Sequence, residues 1–478
     1  MGNNFLLSGT IPACLVISAM FGANEPSIPQ PNIVFILSDD HSAPYLGCYG
    51  NKDLKTLNID RIANQGIRFN HAYTTAPQCV PSRASIMTGR SVVDIRMTRF
   101  SAPLAASIIS YPEKLREAGY FTGICGRSHH LDGSSIQPSA STDVFEKYNL
   151  KTFDNRVDFL RVSSGEKAFS EFKEFPESRP SAKPFFIQVG YNEPHRPFTA
   201  TAFEPDPAKL TDPAGMPDTP ELRKDLAGYY GEIQHLDSDV GKILNELDKS
   251  GLTENTLVIF MGDNGGALLR GKGTLFNCGL HVPLLACWPA VIKTGQVSDA
   301  LISGEDIAPT LIELARAQVP EKITGISFAT VLAGRQLAER EFVFACRGSH
   351  GAGLPTGSSA FDLGRTVFNK EFKLIYNALW QIPYEPVDFN SQVFWKELIR
   401  LNEKKELGEF YSNLLFSPER PMFQLFDLKN DPDEFVNLAG RPKYFEIEKL
   451  LNERLQKWMI LNQDYLPLPV PPNNQGGH

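Results

Sequence analysis

The chain has 478 residues, 42% of them hydrophobic and 21% charged, with a formal net charge of −8. That length allows a large core in two unequal domains, and the composition excludes a disordered or low-complexity chain. The acidic balance excludes a broad basic surface for nucleic acid, so an anionic substrate must meet a local field from a few Arg and Lys side chains and a metal.

Residues 5–23 are apolar and end in the small residues Gly22 and Ala23. This pattern predicts a signal peptide over residues 1–23 and export to a periplasm or the extracellular space, although no Lys or Arg precedes the apolar run. Lipoprotein anchoring through Cys14 is the alternative; Pro12 and the apolar residues that follow weigh against it. No later segment has the length and hydropathy of a membrane span. The seven cysteines contain no Cys-x-x-Cys pair and no dense framework. That excludes a disulfide scaffold and a zinc site, and leaves a Cys278–Cys287 bridge open.

Residues 32–37, 184–189 and 256–261 are continuous apolar runs, the pattern of strands buried on both faces of a parallel sheet. Each ends in a polar cluster, where open α/β sheets bind ligands. Helices are predicted at 57–66, at 112–119 (leading into a strand-like run at 120–125) and at 220–250. The last keeps helical spacing from Leu222 to Leu247, with Thr219 as its cap and Gly251 as its stop. The Pro- and Asp-rich segment 203–218 reads as a surface loop. From about residue 361 shorter strands appear (365–368, 372–376, 423–427), then a helix at 442–462. That is an α+β unit over 361–465 following a main domain over 31–360. Residues 466–478 form a Pro-rich extended tail.

Residues 78–90 read Gln-Cys-Val-Pro-Ser-Arg-Ala-Ser-Ile-Met-Thr-Gly-Arg. Pro81 suits the first position of a helix and Gly89 the residue past its end. Cys79 would then lie at a helix mouth that favours an anion, with Arg83 one turn on along the same face. A buried structural cysteine is the plain alternative. Asp39-Asp40 and Asp263-Asn264 follow two of the buried strands. If those strands are neighbours, four oxygen-bearing side chains converge in a set suited to Ca²⁺, or to Mg²⁺ in a smaller cage. Taken singly, either pair reads first as a turn former or a cap. His195 and Lys272 would supply a proton donor and a fixed cation, or are surface charges on loops.

Cys-x-Pro-Ser-Arg, continued as Ala-Ser-Ile-Met-Thr-Gly-Arg, resembles the signature of the type I sulfatases of the alkaline phosphatase superfamily. The similarity runs from about Asn32 to about Leu438. It implies a large mixed, mostly parallel sheet sandwiched by helices, with a smaller C-terminal α+β domain. It also implies that Cys79 is converted by a formylglycine-generating enzyme to formylglycine, whose hydrate is the nucleophile. Arg83, His129, His195 and Lys272 would complete the catalytic set. Asp39, Asp40, Cys79, Asp263 and Asn264 would surround the cation, Ca²⁺ before Mg²⁺.

Further segments extend the resemblance. Gly126-Arg127-Ser128-His129-His130-Leu131 resembles the sulfatase segment Gly-Lys-Trp-His-Leu-Gly, with Arg127 for the lysine, Ser128 for the Trp, and His129 rather than His130 at the motif position. Glu193-Pro194-His195-Arg196 resembles Asp-Pro-His. Gly271-Lys272-Gly273-Thr274 with Gly279-Leu280-His281-Val282-Pro283-Leu284 resembles the segment whose lysine contacts sulfate. Leu425 to Leu438 resembles a structural C-terminal segment. Residues 344–350, 372–377 and 382–384 look most like the heparan N-sulfatase branch. Arg347 and His350 are expected on a rim loop, pairing with a carboxylate or second sulfate and with a ring hydroxyl. The implied substrate is a sulfated oligosaccharide, with N-sulfate of a terminal glucosamine first and an O-sulfate on another glycan second. A phosphomonoester or phosphonate hydrolase and an inactive glycan-binding homologue are the other classes considered.

Overall fold

An apolar run flanked by polar residues on both sides is most stable with each of its faces covered, and the central strands are placed so. The structure, a computed structural model, describes residues 30–97, 103–128, 131, 145–180, 183–211, 215–335, 340–350 and 359–469. The expected signal peptide, Cys14, His129, His130 and the end of the tail lie outside these residues.

The strands are β1 (Asn32–Ser38), β2 (Ile67–Tyr73), β3 (Leu104–Ala105), β4 (Phe121–Gly126), β5 (Leu150–Lys151), β6 (Phe159–Leu160), β7 (Phe185–Gly190), β8 (Thr256–Gly262), β9 (Leu284–Cys287), β10 (Gln296–Ser303), β11 (Val343–Ser349), β12 (Phe361–Phe368), β13 (Phe372–Asn377) and β14 (Phe423–Asp427). The main sheet has the order β10-β2-β9-β8-β1-β7-β4-β6. All its strands run one way except β9, which is antiparallel to both neighbours. Alternate residues of β1 serve two layers. Val34 and Ile36 join one core with Phe172, Phe175 and the apolar stripe of the helix Pro220–Lys249. Ile33, Phe35 and Leu37 join another with Val80, Ala84, Leu115 and Leu311. This is the expected helix–sheet–helix sandwich. The cap expected at Thr219 is present, its hydroxyl accepting from the Leu222 N–H at 3.2 Å.

A second, antiparallel sheet of order β11-β12-β13-β14 packs against the helix Phe445–Leu461 through Leu451, Leu455 and Met459. Its first strand begins at Val343, upstream of the residue 361 at which the change of pattern was expected. β11 is paired along its length with β12, and a partner that comes later in the chain leaves no local mark. The Cys346 N–H also donates to the Thr75 carbonyl at 2.9 Å. The edge of the small sheet is thereby tied to the segment that enters the helix Cys79–Thr88. The described cysteines are all free thiols, Cys278 and Cys287 among them.

Register decides where the polar clusters meet. Leu37 is level with both Gly190 and Met261, and Gly126 with Gly190. The residues that follow β1, β4, β7 and β8 therefore emerge side by side. Gly126 has φ 73°, and a Cβ there would lie 2.1 Å from the Gly190 carbonyl oxygen. Gly126→Ala should therefore cost more than the roughly 1–2 kcal/mol of left-handed strain alone, because β4 and β7 must also part. Urea titration should show a lowered midpoint.

Candidate active site

The parallel pairing of β1 with β8 carries on past the strand ends. Ser38 is level with Gly262, and the Asp263 N–H donates to the Ser38 carbonyl at 3.0 Å. Asp39 and Asp263 thus leave adjacent strands at the same height. Asp40 follows in the left-handed region at φ 61°. Its N–H donates to Asp263 Oδ1 at 3.0 Å, and its carbonyl accepts from the Tyr229 hydroxyl at 2.8 Å. One carboxylate oxygen from each of Asp39, Asp40 and Asp263, together with Cys79 Sγ, lies within 4.8 Å of the others.

Cys79 opens the helix Cys79–Thr88, every residue of which is buried. The helix starts two residues before the Pro81 start read from the sequence. Proline is tolerated anywhere in the first turn, since its missing N–H would have no partner inside the helix. Gly89 ends the helix as expected, at φ 66° with its N–H on the Ser85 carbonyl. Cys79 Sγ is 3.1 Å from Asp39 Oδ1 and 3.7 Å from Asp40 Oδ1. Burial, then the neighbouring Asp39, pushes its thiol well above the ordinary range. The unmodified sulfur is thus held protonated in these surroundings, a poor state for a thiolate nucleophile.

Arg83 reaches back along the helix as its spacing implies. Its Nε donates to Asp263 Oδ2 at 2.7 Å, Nη2 lies 3.2 Å from Asp39 Oδ2, and Nη1 donates to the Arg127 carbonyl. Arg127, just past β4, pairs with Asp39 and donates to Asn192 Oδ1. Lys272 is 1% exposed and lies 2.9 Å from Asp40 Oδ2 and 2.7 Å from Asp388 Oδ2. His195 Nδ1 donates to the Arg196 carbonyl, while Nε2 faces Asp40 and Asp388 at 3.8 Å from each. Burial, and then Lys272, lowers its pKa to about 4. With these neighbours His195 is neutral near neutral pH, and an incoming anion would favour its protonation.

The donor set fits a hard divalent cation. Asp39, Asp40, Asp263 and Asn264 offer oxygen, and Asn264 Oδ1 is buried without a hydrogen-bond partner while its Nδ2 donates to Asp40 Oδ1 at 2.8 Å. Burial first, then Asp39, raises Asp263 to about 7; burial and then, against it, Lys272 leave Asp40 at about 6. Carboxylates so reluctant to ionise together are those a metal would stabilise.

The structure brings together Asp39, Asp40, Cys79, Arg83, Arg127, His195, Asp263, Asn264 and Lys272. His350 stands close by, its Nδ1 3.3 Å from Gln78 Nε2 and its Nε2 3.4 Å from Asp388 Oδ1. Arg347 differs from expectation. It is an interior residue of β11 rather than a rim-loop residue, 1% exposed, and its Nη2 donates to the Ser359 carbonyl. It lines a cavity of about 380 Å³ with Gly273, Thr274, Asp362 and Arg420. Burial lowers its pKa to about 10. The β-period explains the difference, since it turns Arg347 inward where a loop would have let it face solvent.

Sequence reasoning passed over Asp388, Asn192 and Gln78. Asn192 lies inside the run that follows β7 and was legible by position. Gln78 bridges to β11, its Nε2 donating to the Ser349 carbonyl at 2.7 Å. Asp388 comes from a loop beyond β13, with no strand end or motif to mark it.

Seven co-directional strands and one antiparallel strand, with helices on both faces and a cation-suited cluster at the carboxyl ends, make up an alkaline-phosphatase-like fold. Within that class the chain belongs to the sulfatase family, whose model matches residues 31–317; it is a sulfuric ester hydrolase. An ulvan-active sulfatase of Formosa agariphila is 28% identical over 94% of this chain and 85% of its own. The N-sulphoglucosamine sulphohydrolase of Homo sapiens is 27% identical over 96% of this chain and 95% of its own. Among solved structures, one in complex with its substrate D-glucosamine-2-N,6-O-disulfate superposes with a TM-score of 0.66 at 20% identity, covering 93% of this chain and 100% of that one. The phosphonate monoester hydrolase of Silicibacter pomeroyi superposes at 0.69 with 19% identity, covering 91% and 96%. Both likenesses concern the fold. No helix among the described residues is long and apolar enough to cross a membrane.

Asp263→Ala leaves Asp39 and Asp40 without their in-register partner. We expect added Ca²⁺ to raise the melting temperature of the wild-type protein and to do so far less for the variant. Calorimetric titration should show the matching loss of affinity.

Proposed function

We propose that the chain is a glycan sulfatase that removes the N-sulfate of a terminal glucosamine of the heparan or heparin type, with Cys79 matured to formylglycine. One observation carries the choice of substrate. The likeness to the N-sulphoglucosamine sulphohydrolase spans nearly the whole of both chains, so it takes in the segments around the site as well as the site itself. The ulvan-active sulfatase, similar over a comparable span, supports a second reading, an O-sulfate on another glycan.

Asp39, Asp40, Asp263 and Asn264 would hold Ca²⁺, which supplies charge neutralisation for a sulfate oxygen. The formyl group, formed by a formylglycine-generating enzyme, supplies a hydrated nucleophile at a helix N-terminus. Arg83 binds Asp263 and Asp39 at once, and so keeps residue 79 and the acidic cluster in one fixed relation. Arg127, paired with Asp39, would meet a sulfate oxygen. Lys272 remains protonated between Asp40 and Asp388 and offers a fixed cation to the leaving group. His195 would take up a proton as the sulfate enters and pass it to the leaving nitrogen or oxygen. His129 is assigned to the proton that leaves residue 79 when sulfate is expelled, and His350 to the rim. Arg347 is assigned to the sugar side of the pocket.

Mass spectrometry of the tryptic peptide containing residue 79 should show formylglycine in active protein, and a wholly unmodified thiol in active protein would overturn that assignment. Against a panel of defined saccharides, glucosamine N-sulfate should be the preferred substrate. Preference for an O-sulfated unit would move the assignment to the second reading. Lys272→Met, which removes the cation and keeps the stem, should lower kcat/KM at least about a hundredfold on any sulfated substrate.

A further inference from the structure

Lys272, His195 and His350 converge on the carboxylate of Asp388. Its Oδ2 lies 2.7 Å from Lys272 Nζ and 3.8 Å from His195 Nε2, and its Oδ1 lies 3.4 Å from His350 Nε2. The Asp388 side chain is 30% exposed, against 1% for Lys272. Asp388 thus stands where solvent meets the buried cluster. Its backbone is in the left-handed region at φ 67°, on the loop between β13 and the helix Val393–Glu403. Burial would raise its pKa, but Lys272 and His350 outweigh burial and hold the carboxyl well below the usual range.

Asp40, His195 and Asp388 are close enough to suggest a second cation site. The Lys272 ammonium already bridges the two carboxylates, however, so that charge requirement is met from within the chain.

A carboxylate and a sulfate are both oxyanions and seek the same cations. With Asp388 in place, a bare sulfate must displace it from Lys272 and then lie beside it, which like charges oppose. A sugar carrying the sulfate differs from a simple anion in one respect. It brings hydroxyl or nitrogen-bound protons within a bond or two of the sulfate, and an ionised carboxylate is a strong acceptor for them.

We propose that Asp388 is a specificity-determining residue that guards the anion pocket against unattached sulfate and accepts hydrogen bonds from the sugar that bears the reacting group. This rests on the sulfatase reaction, not on the choice of N-sulfate. Sulfated sugars, whether O- or N-sulfated, recover at Asp388 what their sulfate loses there. Aryl sulfates and inorganic sulfate do not.

The test compares wild type with Asp388→Asn, which keeps size and removes charge, and with Asp388→Ala. Four quantities are measured: the inhibition constant for inorganic sulfate, KM and kcat/KM for an aryl sulfate, and kcat/KM for whichever sulfated saccharide the wild type turns over. In both variants inorganic sulfate should inhibit several-fold more tightly and KM for the aryl sulfate should fall. The ratio of saccharide to aryl kcat/KM should drop about ten- to a hundredfold. Weaker sulfate inhibition with an equal loss on both substrates would overturn the proposal and make Asp388 a prop for Lys272. An unchanged ratio, or a wild type that accepts no sulfated saccharide, would overturn it as well. A wild type that prefers an O-sulfated sugar would refute the N-sulfate reading alone, because the variants are then compared on that sugar.

Discussion

Asp39, Asp40 and Asp263 are fully buried with carboxylate oxygens within 4.8 Å of one another. At that separation two like charges repel by on the order of 3 kcal/mol even at an effective dielectric constant of about 20. The chain opposes this with Arg83 and Arg127 on Asp39, Arg83 again on Asp263, and Lys272 on Asp40. With Asp388 included, four carboxylates face three fixed cations, leaving one net negative charge. A divalent cation would turn that balance to one net positive charge, the complement of a sulfate monoester. The acidic protein as a whole therefore need not attract its substrate, because attraction is confined to a few ångströms around residue 79.

Sheet geometry makes this concentration of charge possible. Parallel neighbours in register deliver their following residues to one edge, so β1, β4, β7 and β8 each contribute to the site without any one loop having to carry it. Tyr229, on the long helix, and the left-handed turn at Asp40 then fix the backbone between the acidic residues. The small sheet completes the mouth. Gln78, next to Cys79, bonds to β11, and the loop beyond β13 carries Asp388 over Lys272. The pocket is thus composite, with the large sheet providing the reacting end and the C-terminal unit providing part of the rim.

Most of the reacting end was legible in the chain itself. The run from Gln78 to Arg90 states its helix, its stop and its arginine in consecutive residues, and the polar clusters after 37, 189 and 261 mark strand ends by an abrupt change from apolar to polar. The helix Pro220–Lys249 was readable from its period and its Thr219 cap. Arg347 was misplaced for the opposite reason. A strand whose partner lies twenty residues downstream looks locally like a strand running into a loop, and only pairing with β12 turns that arginine inward. The helices Ala168–Ser178, Val393–Glu403 and Glu409–Phe416 escaped notice among segments of mixed charge and aromatic content.

By itself the sequence determined the alternation of buried strands and helices, the helix that bears Cys79 and Arg83, and the oxygen-bearing side chains that follow two of the strands. Local patterns suffice for these, because periodicity, caps and motif spacing are properties of neighbouring residues. Tertiary structure alone decided that Asp39 and Asp263 emerge level with each other, that Arg127 and Arg83 share one carboxylate, and that Asp388 closes over Lys272. Those outcomes depend on register between strands more than two hundred residues apart and on the docking of a second sheet. Each is a choice among long-range pairings that no short stretch of chain encodes.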